Sequence, residues 1–132
     1  MYYLKKILRN SLQNNIGEKV EKFPVFSKEE NILIGHIAFF KYFGNHTYEI
    51  GWVFHPDFHN KGYASEAARA VLEYAFTKMK IHRIIATCQP ENISSFRVME
   101  KIGMRREGNG NDWWDEYYYA ILKDEWGEGK RI

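Results

Sequence analysis

The chain has a single cysteine, Cys88, in 132 residues. One thiol cannot close an internal disulfide, and alone it offers no cysteine cluster for a metal. None of the five histidines, His36, His46, His55, His59 and His82, belongs to a helical His-Glu-x-x-His pair, so no metal is expected. Long apolar runs are also missing. Lys5 and Lys6 interrupt Met1 to Leu8, which excludes a signal peptide there, and no stretch approaches the length of a membrane span. A soluble, cytoplasmic protein with no membrane partner is the expectation. Charge of one sign is scarce as well: 19 basic and 17 acidic residues are interleaved for a net +2, leaving no stripe for a nucleic-acid backbone. The pattern Gly-x-x-x-x-Gly-Lys-Ser/Thr does not occur, which discards a nucleotide-binding loop of that kind. Linkers and repeats are absent. What is present is apolar mass, 45% hydrophobic and 17% aromatic, enough for one domain over 1–132 with a real core.

The most informative stretch is His59-Asn60-Lys61-Gly62-Tyr63-Ala64-Ser65-Glu66, where a strand-like run meets a helical one. Upstream, Tyr48, Ile50, Trp52 and Phe54 alternate with Glu49, Gly51 and Val53, and His55-Pro56-Asp57 breaks the pattern. Downstream, Ala64, Ala67, Ala68, Val71, Leu72, Ala75 and Met79 recur at three and four, an apolar stripe suited to packing on a sheet. The first turn of a helix carries amide protons without intrahelical acceptors, at the positive end of the macrodipole. A glycine-containing loop there can wrap its backbone around phosphate oxygens. Gly62 and Ala64 leave room for that. An ordinary turn before an ordinary helix has the same composition, so this segment alone does not decide.

A second segment, Gln89 to Met104, follows the short β-branched run Ile84-Ile85-Ala86-Thr87-Cys88, which predicts a buried strand closed by a proline turn. In that setting Cys88 is a small core residue before it is a nucleophile. Asn92 is placed to cap the next helix, Ser95, Val98, Met99 and Ile102 give it an inward stripe, and Gly103 supplies a left-handed stop.

Together the two segments resemble the GNAT acetyltransferases, which move acetyl from acetyl-CoA to an amine. The family's pyrophosphate loop, Gln/Arg-x-x-Gly-x-Gly/Ala, corresponds to His59-Asn60-Lys61-Gly62-Tyr63-Ala64; its later motif corresponds to Asn92-Ile93-Ser94-Ser95 and Glu100-Lys101-Ile102-Gly103-Met104. Ile34-Gly35-His36-Ile37, Tyr74-Ala75-Phe76, His82-Arg83-Ile84 and Tyr118 to Trp126 bring it nearest to the branch that includes ribosomal-protein N-terminal acetyltransferases. The likeness runs from about Ile32 to Trp126. It implies an α/β (α+β) fold: a central mixed, mostly antiparallel sheet flanked by helices, with splayed strands at the acetyl-CoA site. The remaining elements expected are a helix over about Tyr3 to Asn14, a hairpin of Phe23–Phe26 and Ile32–Phe40 around Lys28–Asn31, and a strand from Met104. A Gly108–Asn111 turn and a last aromatic strand follow, with helices on both faces of the sheet. Relatives usually begin with a further strand and helix that this sequence does not show. A second subunit, making a homodimer, or a rearranged N-terminus is expected to cover the sheet edge.

Acetyl transfer needs a bound thioester, a neutral amine, a donor for the oxyanion and a proton for the departing thiolate. The resemblance implies that amides around Lys61, Gly62, Tyr63, Ala64 and Ser65 hold the pyrophosphate, with His59 in the family's Gln/Arg position; Lys61 either adds charge or is simply solvated. Val53 and Phe54 would offer main-chain contacts to the pantetheine arm, the Val53 amide serving the oxyanion. Asn92 either touches that arm as well as capping or only caps. Glu49 corresponds to a catalytic glutamate of relatives and shares its face with Gly51, whose missing side chain leaves space; a plain exposed glutamate is the alternative. Many relatives use a tyrosine seven positions after the asparagine as acid, and here that position is Met99. In the resembling branch a serine three after it takes the role, here Ser95, unless it only packs or caps. Tyr117, Tyr118 and Tyr119 are further donors. At pH 7 about a tenth of an α-amino group is neutral against less than about a thousandth of a lysine, so a protein N-terminus demands little of the base. The acceptor is left as a peptide N-terminus or a small-molecule amine. The competing reading is a catalytically impaired acyl-CoA sensor or structural dimer, on account of His59, Met99 and the short N-terminal part.

Overall fold

In the computed structural model, residues 21–41, 47–109 and 116–129 are described. Six strands form one sheet: β1 (Glu21–Ser27), β2 (Ile32–Lys41), β3 (Thr47–Phe54), β4 (Arg83–Cys88), β5 (Arg105–Asn109) and β6 (Tyr117–Leu122). Their order is β1-β2-β3-β4-β6-β5, antiparallel throughout except for β3 beside β4. That parallel step needs a crossover, and α1 (Tyr63–Thr77) supplies it. Two further helices follow, α2 (Ile93–Lys101) and α3 (Lys123–Gly129). The fold is thus the mixed, mostly antiparallel sheet with flanking helices that the sequence implied.

Alternation decides the faces. Tyr48, Ile50 and Phe54 on β3 join Ile37 and Phe39 on β2 and Phe23 and Val25 on β1 in one core, together with Ala67, Ala68, Val71, Leu72 and Ala75 of α1. Burying each large aliphatic or aromatic side chain contributes about 1.5–3 kcal/mol before chain entropy is counted. The alanines let α1 lie close against the sheet. Met99 and Ile102 of α2 join the same core, and Trp126 of α3 packs on Phe76 of α1 with centroids 6.2 Å apart. Among the described residues, then, all three helices gather on one face, where the sequence had suggested both. The helix expected over Tyr3 to Asn14 lies outside the described residues. β4 is buried on both sides, Ile84, Ile85 and Ala86 each having no exposed surface, as befits a central strand written as a continuous apolar run.

Two details differ from the sequence pattern. Met79 lies beyond the end of α1, because Lys80 turns to a φ of 57° and the chain drops back to β4. Gly108 and Asn109 belong to β5 and not to a turn, and residues 110–115 lie outside the description. Gly103 does adopt the left-handed conformation expected after α2, with φ 94°.

Candidate active site

The site begins where two neighbouring strands part. β3 and β4 pair only over Thr47–Glu49 and Arg83–Ile85. Beyond them, Ile50–Phe54 and Ala86–Cys88 have no partner across the gap, so a wedge of unpaired backbone opens between two strands deep in the sheet. β3 stays rigid because its other side remains paired to β2 as far as Gly35↔Phe54. Gly35 is required there: a Cβ would stand 2.4 Å from the Val53 carbonyl oxygen and 2.7 Å from the Phe54 ring.

The chain leaves β3 through a short 3₁₀ turn, Pro56–Phe58, and reaches α1 through a loop in which Asn60 and Gly62 both take positive φ, 61° and 86°. Asparagine and glycine are the residues that tolerate this conformation. Gly62 is the N-cap of α1 and has no side chain to satisfy the first turn, while its carbonyl accepts from the Glu66 amide at 3.0 Å and the Ser65 hydroxyl at 3.2 Å. The amides of Tyr63, Ala64 and Ser65 therefore point out of the helix with no intrahelical acceptor. A Cβ on Gly62 would meet nothing within 4 Å, so there is open space beside the start of the helix. This is a cradle for an anion. His59 fixes it in place: its Nε2–H donates to the Phe54 carbonyl at 2.8 Å, tying the start of the loop to the end of β3. Lys61 and Tyr63 turn the other way, onto Phe58, with the Lys61 ammonium 5.7 Å and the Tyr63 ring 5.6 Å from its centroid.

A second helix N-terminus faces the same space. Asn92 caps α2, its Oδ1 accepting from the Ser95 amide at 3.2 Å and the Ser94 hydroxyl at 3.3 Å. Between the two helix starts and the end of β3 lies a cleft of about 920 Å³. Val53, Phe54, His59, Gly62, Ala64, Ser65, Asn92 and Ser95 all line it; Lys61, Tyr63 and Glu49 do not. The stripe read on α2 therefore divides: Met99 and Ile102 enter the core, whereas Ser95 and Val98 border the cleft. Met99, at the position of the tyrosine that many relatives use, is 1% exposed.

Glu49 sits at the apex of the wedge, in the last paired position, and on the opposite face from the helices. Burial holds its carboxyl above the usual glutamate range, the charge of Glu116 pushes it further up, and a hydrogen bond with Thr87 partly offsets both. A half-buried carboxylate with raised basicity beside a strand opening is suited to taking a proton. Of the tyrosines, Tyr119 is committed: its hydroxyl donates to Glu100 at 2.9 Å, and burial with that bond pushes its pKa up to about 12. Tyr118 carries the Arg83 guanidinium 5.9 Å above its ring, and Tyr117 packs edge-on against Phe96. Cys88, at the open end of β4, is buried, which raises its thiol pKa, as does Glu116. Sequence reasoning did not single out Thr87 or Glu116, which reach Glu49 only through the fold, nor Phe58 and Arg97, which line the cleft. Among the described residues, no three His, Cys, Asp or Glu side chains gather as metal ligands, and no helix is long and apolar enough to cross a membrane.

The family profile described as an acetyltransferase (GNAT) domain matches residues 3–105, more than half of the chain. The N-acetyltransferase YnaD of Bacillus subtilis (strain 168) is 66% identical over 122 residues, 87% of this chain and 72% of the relative. A crystal structure of a GNAT-family acetyltransferase from Bacillus anthracis superposes with a TM-score of 0.73 at 65% identity, over 88% of this chain and 73% of that one. The ribosomal protein uS5-alanine N-acetyltransferase of Escherichia coli (strain K12) is 26% identical over 117 residues, 82% of this chain and 60% of the relative. The chain belongs to the GNAT acetyltransferase family, and is an N-acetyltransferase with relatives among the ribosomal-protein acetyltransferases.

Proposed function

We propose that this chain, as a single domain over 1–132, moves acetyl directly from acetyl-CoA to a primary amine, a protein N-terminus or a small-molecule amine, in the cytoplasm. The observation that carries the reading is the convergence of the Gly62 amide cradle and the β3–β4 wedge on one cleft. The cradle takes the pyrophosphate through the amides of Gly62, Tyr63, Ala64 and Ser65, and the β3 edge at Val53 and Phe54, which lines the cleft and has no β4 partner, takes the pantetheine arm. Two helix N-termini facing one space favour a polyanionic carrier.

Within this reading the acceptor amine approaches from the face that bears Glu49, which removes its proton directly or through water. The amine nitrogen bonds to the thioester carbonyl carbon, and the C–S bond later breaks; the oxyanion donor is the Phe54 amide rather than that of Val53, because the register that bonds the His55 amide to the Ile34 carbonyl at 2.9 Å also turns the Val53 amide toward His36. Ser95 lines the cleft and donates the proton that the leaving thiolate needs. A cysteine intermediate is not invoked, since burial raises the pKa of the Cys88 thiol. A second copy of the chain would cover β1, the end of the sheet among the described residues; light scattering at micromolar concentration should give a dimer mass, and a monomer mass counts against it.

The deciding experiment measures CoA release with acetyl-CoA against N-terminal peptides, polyamines and aminoglycosides, beside calorimetric binding. Turnover with at least one amine is expected. Tight acetyl-CoA binding with no release across the panel would replace the enzyme by a sensor, and no binding at all would remove the cleft assignment.

A further inference from the structure

Across the strand gap, Glu49 is paired with a residue that cannot serve a carboxylate. Ile85, its partner in the last rung, is aliphatic and has no exposed surface. Arg83 and Thr87 share that face of β4, two residues to either side of Ile85, because Ile84, Ala86 and Cys88 turn into the core beneath the helices. Arg83 is committed elsewhere: it bonds Glu107 at 2.6 Å and lies over the Tyr118 ring. Thr87 is the donor that remains, and its hydrogen bond with Glu49 spans the point where the ladder stops. The reach is open because Gly51, which would stand opposite Thr87 if the pairing ran on, has no side chain; a Cβ there would meet nothing within 4 Å. Thr87 is also fixed from its other edge, being paired with Tyr118 in the β4–β6 ladder, and its branched side chain is stiff at χ1. Among the described residues, the other ionisable groups on this face are Tyr118 on β6, Glu116 just before it, Arg105 and Glu107 on β5, His36 opposite Val53 on β2, and Lys22 opposite Ala38 on β1. Phe40, opposite Glu49 on β2, carries no charge.

We propose that Thr87 is a positioning residue: its hydroxyl donates to the Glu49 carboxylate and holds the base at the mouth of the strand gap. The proposal rests on the reading of Glu49 as the base, and its test keeps the two apart. A donor to a carboxylate favours the charged form, so removing the hydroxyl should raise the pH at which Glu49 ionises, opposite to the effect of removing the Glu116 charge. In Thr87→Val, which keeps the branched shape, the acid limb of kcat/KM should move to higher pH. Its kcat on the alkaline side should fall about tenfold, the scale of one hydrogen bond to a charged group. Thr87→Ser, with the hydroxyl restored, should bring both values back toward native. Carbon NMR of the Glu49 carboxyl follows the same titration without an acceptor, and Thr87→Ala replaces the valine variant if circular dichroism shows the latter unfolded. A midpoint that stays put without the hydroxyl, or one that moves as far with serine as with valine, overturns the role of Thr87 while Glu49→Gln still slows turnover. A Glu49→Gln variant as fast as the native chain overturns the base, and the positioning role with it.

Discussion

The two halves of the sheet treat their polar groups in opposite ways. Between β4 and β6 the ladder is unbroken, β5 joins it with one register shift between Arg106 and Gly108, and charges there are paired: Arg83 bonds Glu107 at 2.6 Å, and Arg105 bridges Glu107 and Glu125 at 2.7 Å each. Glu125 also accepts the Leu122 amide at 2.8 Å, closing the step from β6 into α3. Around β3 the ladder is cut short, and the first turn of α1 has no side-chain cap. Unmet hydrogen-bonding capacity is expensive in a fold unless a ligand completes it. The difference marks which half is finished by the chain and which by what it binds.

Removing the cradle should have the largest effect. Gly62→Glu places a side chain in the open space and a negative charge where phosphate must sit, and should weaken acetyl-CoA binding by about a thousandfold or beyond detection. Gly62→Asn, which tolerates positive φ and adds no charge, should retain measurable binding. Unchanged affinity of the glutamate variant in calorimetry would refute the loop assignment. Next comes Glu49→Gln, which should lower kcat about a hundredfold with little effect on acetyl-CoA affinity, as for a lost general base. With Glu49 in place, the acid limb of kcat/KM should fall at a pH above the ordinary glutamate range. The deprotonated form is the active one, and burial and Glu116 delay its appearance. Replacing Glu116 by Gln should move that limb to lower pH. A limb that stays put would disconnect Glu116 from the base.

Gly35→Ala probes the seam between the halves. The new methyl would meet the Val53 carbonyl oxygen and the Phe54 ring, and overpacking of this kind costs about 1–3 kcal/mol. Because Phe54 ends the strand that borders the wedge, the variant should lose acetyl-CoA affinity as well as thermal stability. A drop in stability with affinity untouched would show that the wedge does not depend on this contact.

The fold was largely legible in the sequence because its signals are local: alternation on β3, the alanine stripe of α1, the Asn92 cap and the Gly103 stop each act within a few residues. The face of the sheet that each described helix takes was not legible, because periodicity tells which side of a helix is buried, not which side of the sheet it lies on. In the site, Gly62 was legible through its backbone requirement. The task of His59 was not, since its bond to the Phe54 carbonyl appears only when the 3₁₀ turn folds the loop back on the strand. Thr87 and Glu116 were illegible for the same reason: one reaches Glu49 from the neighbouring strand, the other from just before β6, far along the chain.

The smallest effect belongs to the finished half. Arg105 has a side chain 46% exposed, so each of its two bonds is screened, and Arg105→Gln should cost only about 1 kcal/mol in chemical denaturation. Its pH dependence is more telling than its size. Hydrogen bonding from Arg105 holds Glu125 below the usual carboxylate range; for Glu107, burial pushes upward but Arg105 and Arg83 outweigh it. A carboxylate whose folded pKa is depressed contributes stability above its unfolded value of 4.5 and loses it as pH falls through the folded value. The native chain should therefore lose stability more steeply than the variant below about pH 4.5, and the two curves should converge in acid. Parallel curves across that range would mean the ion pairs contribute nothing, and that the closed half owes its integrity to the β4–β6–β5 ladder and the packing beneath it.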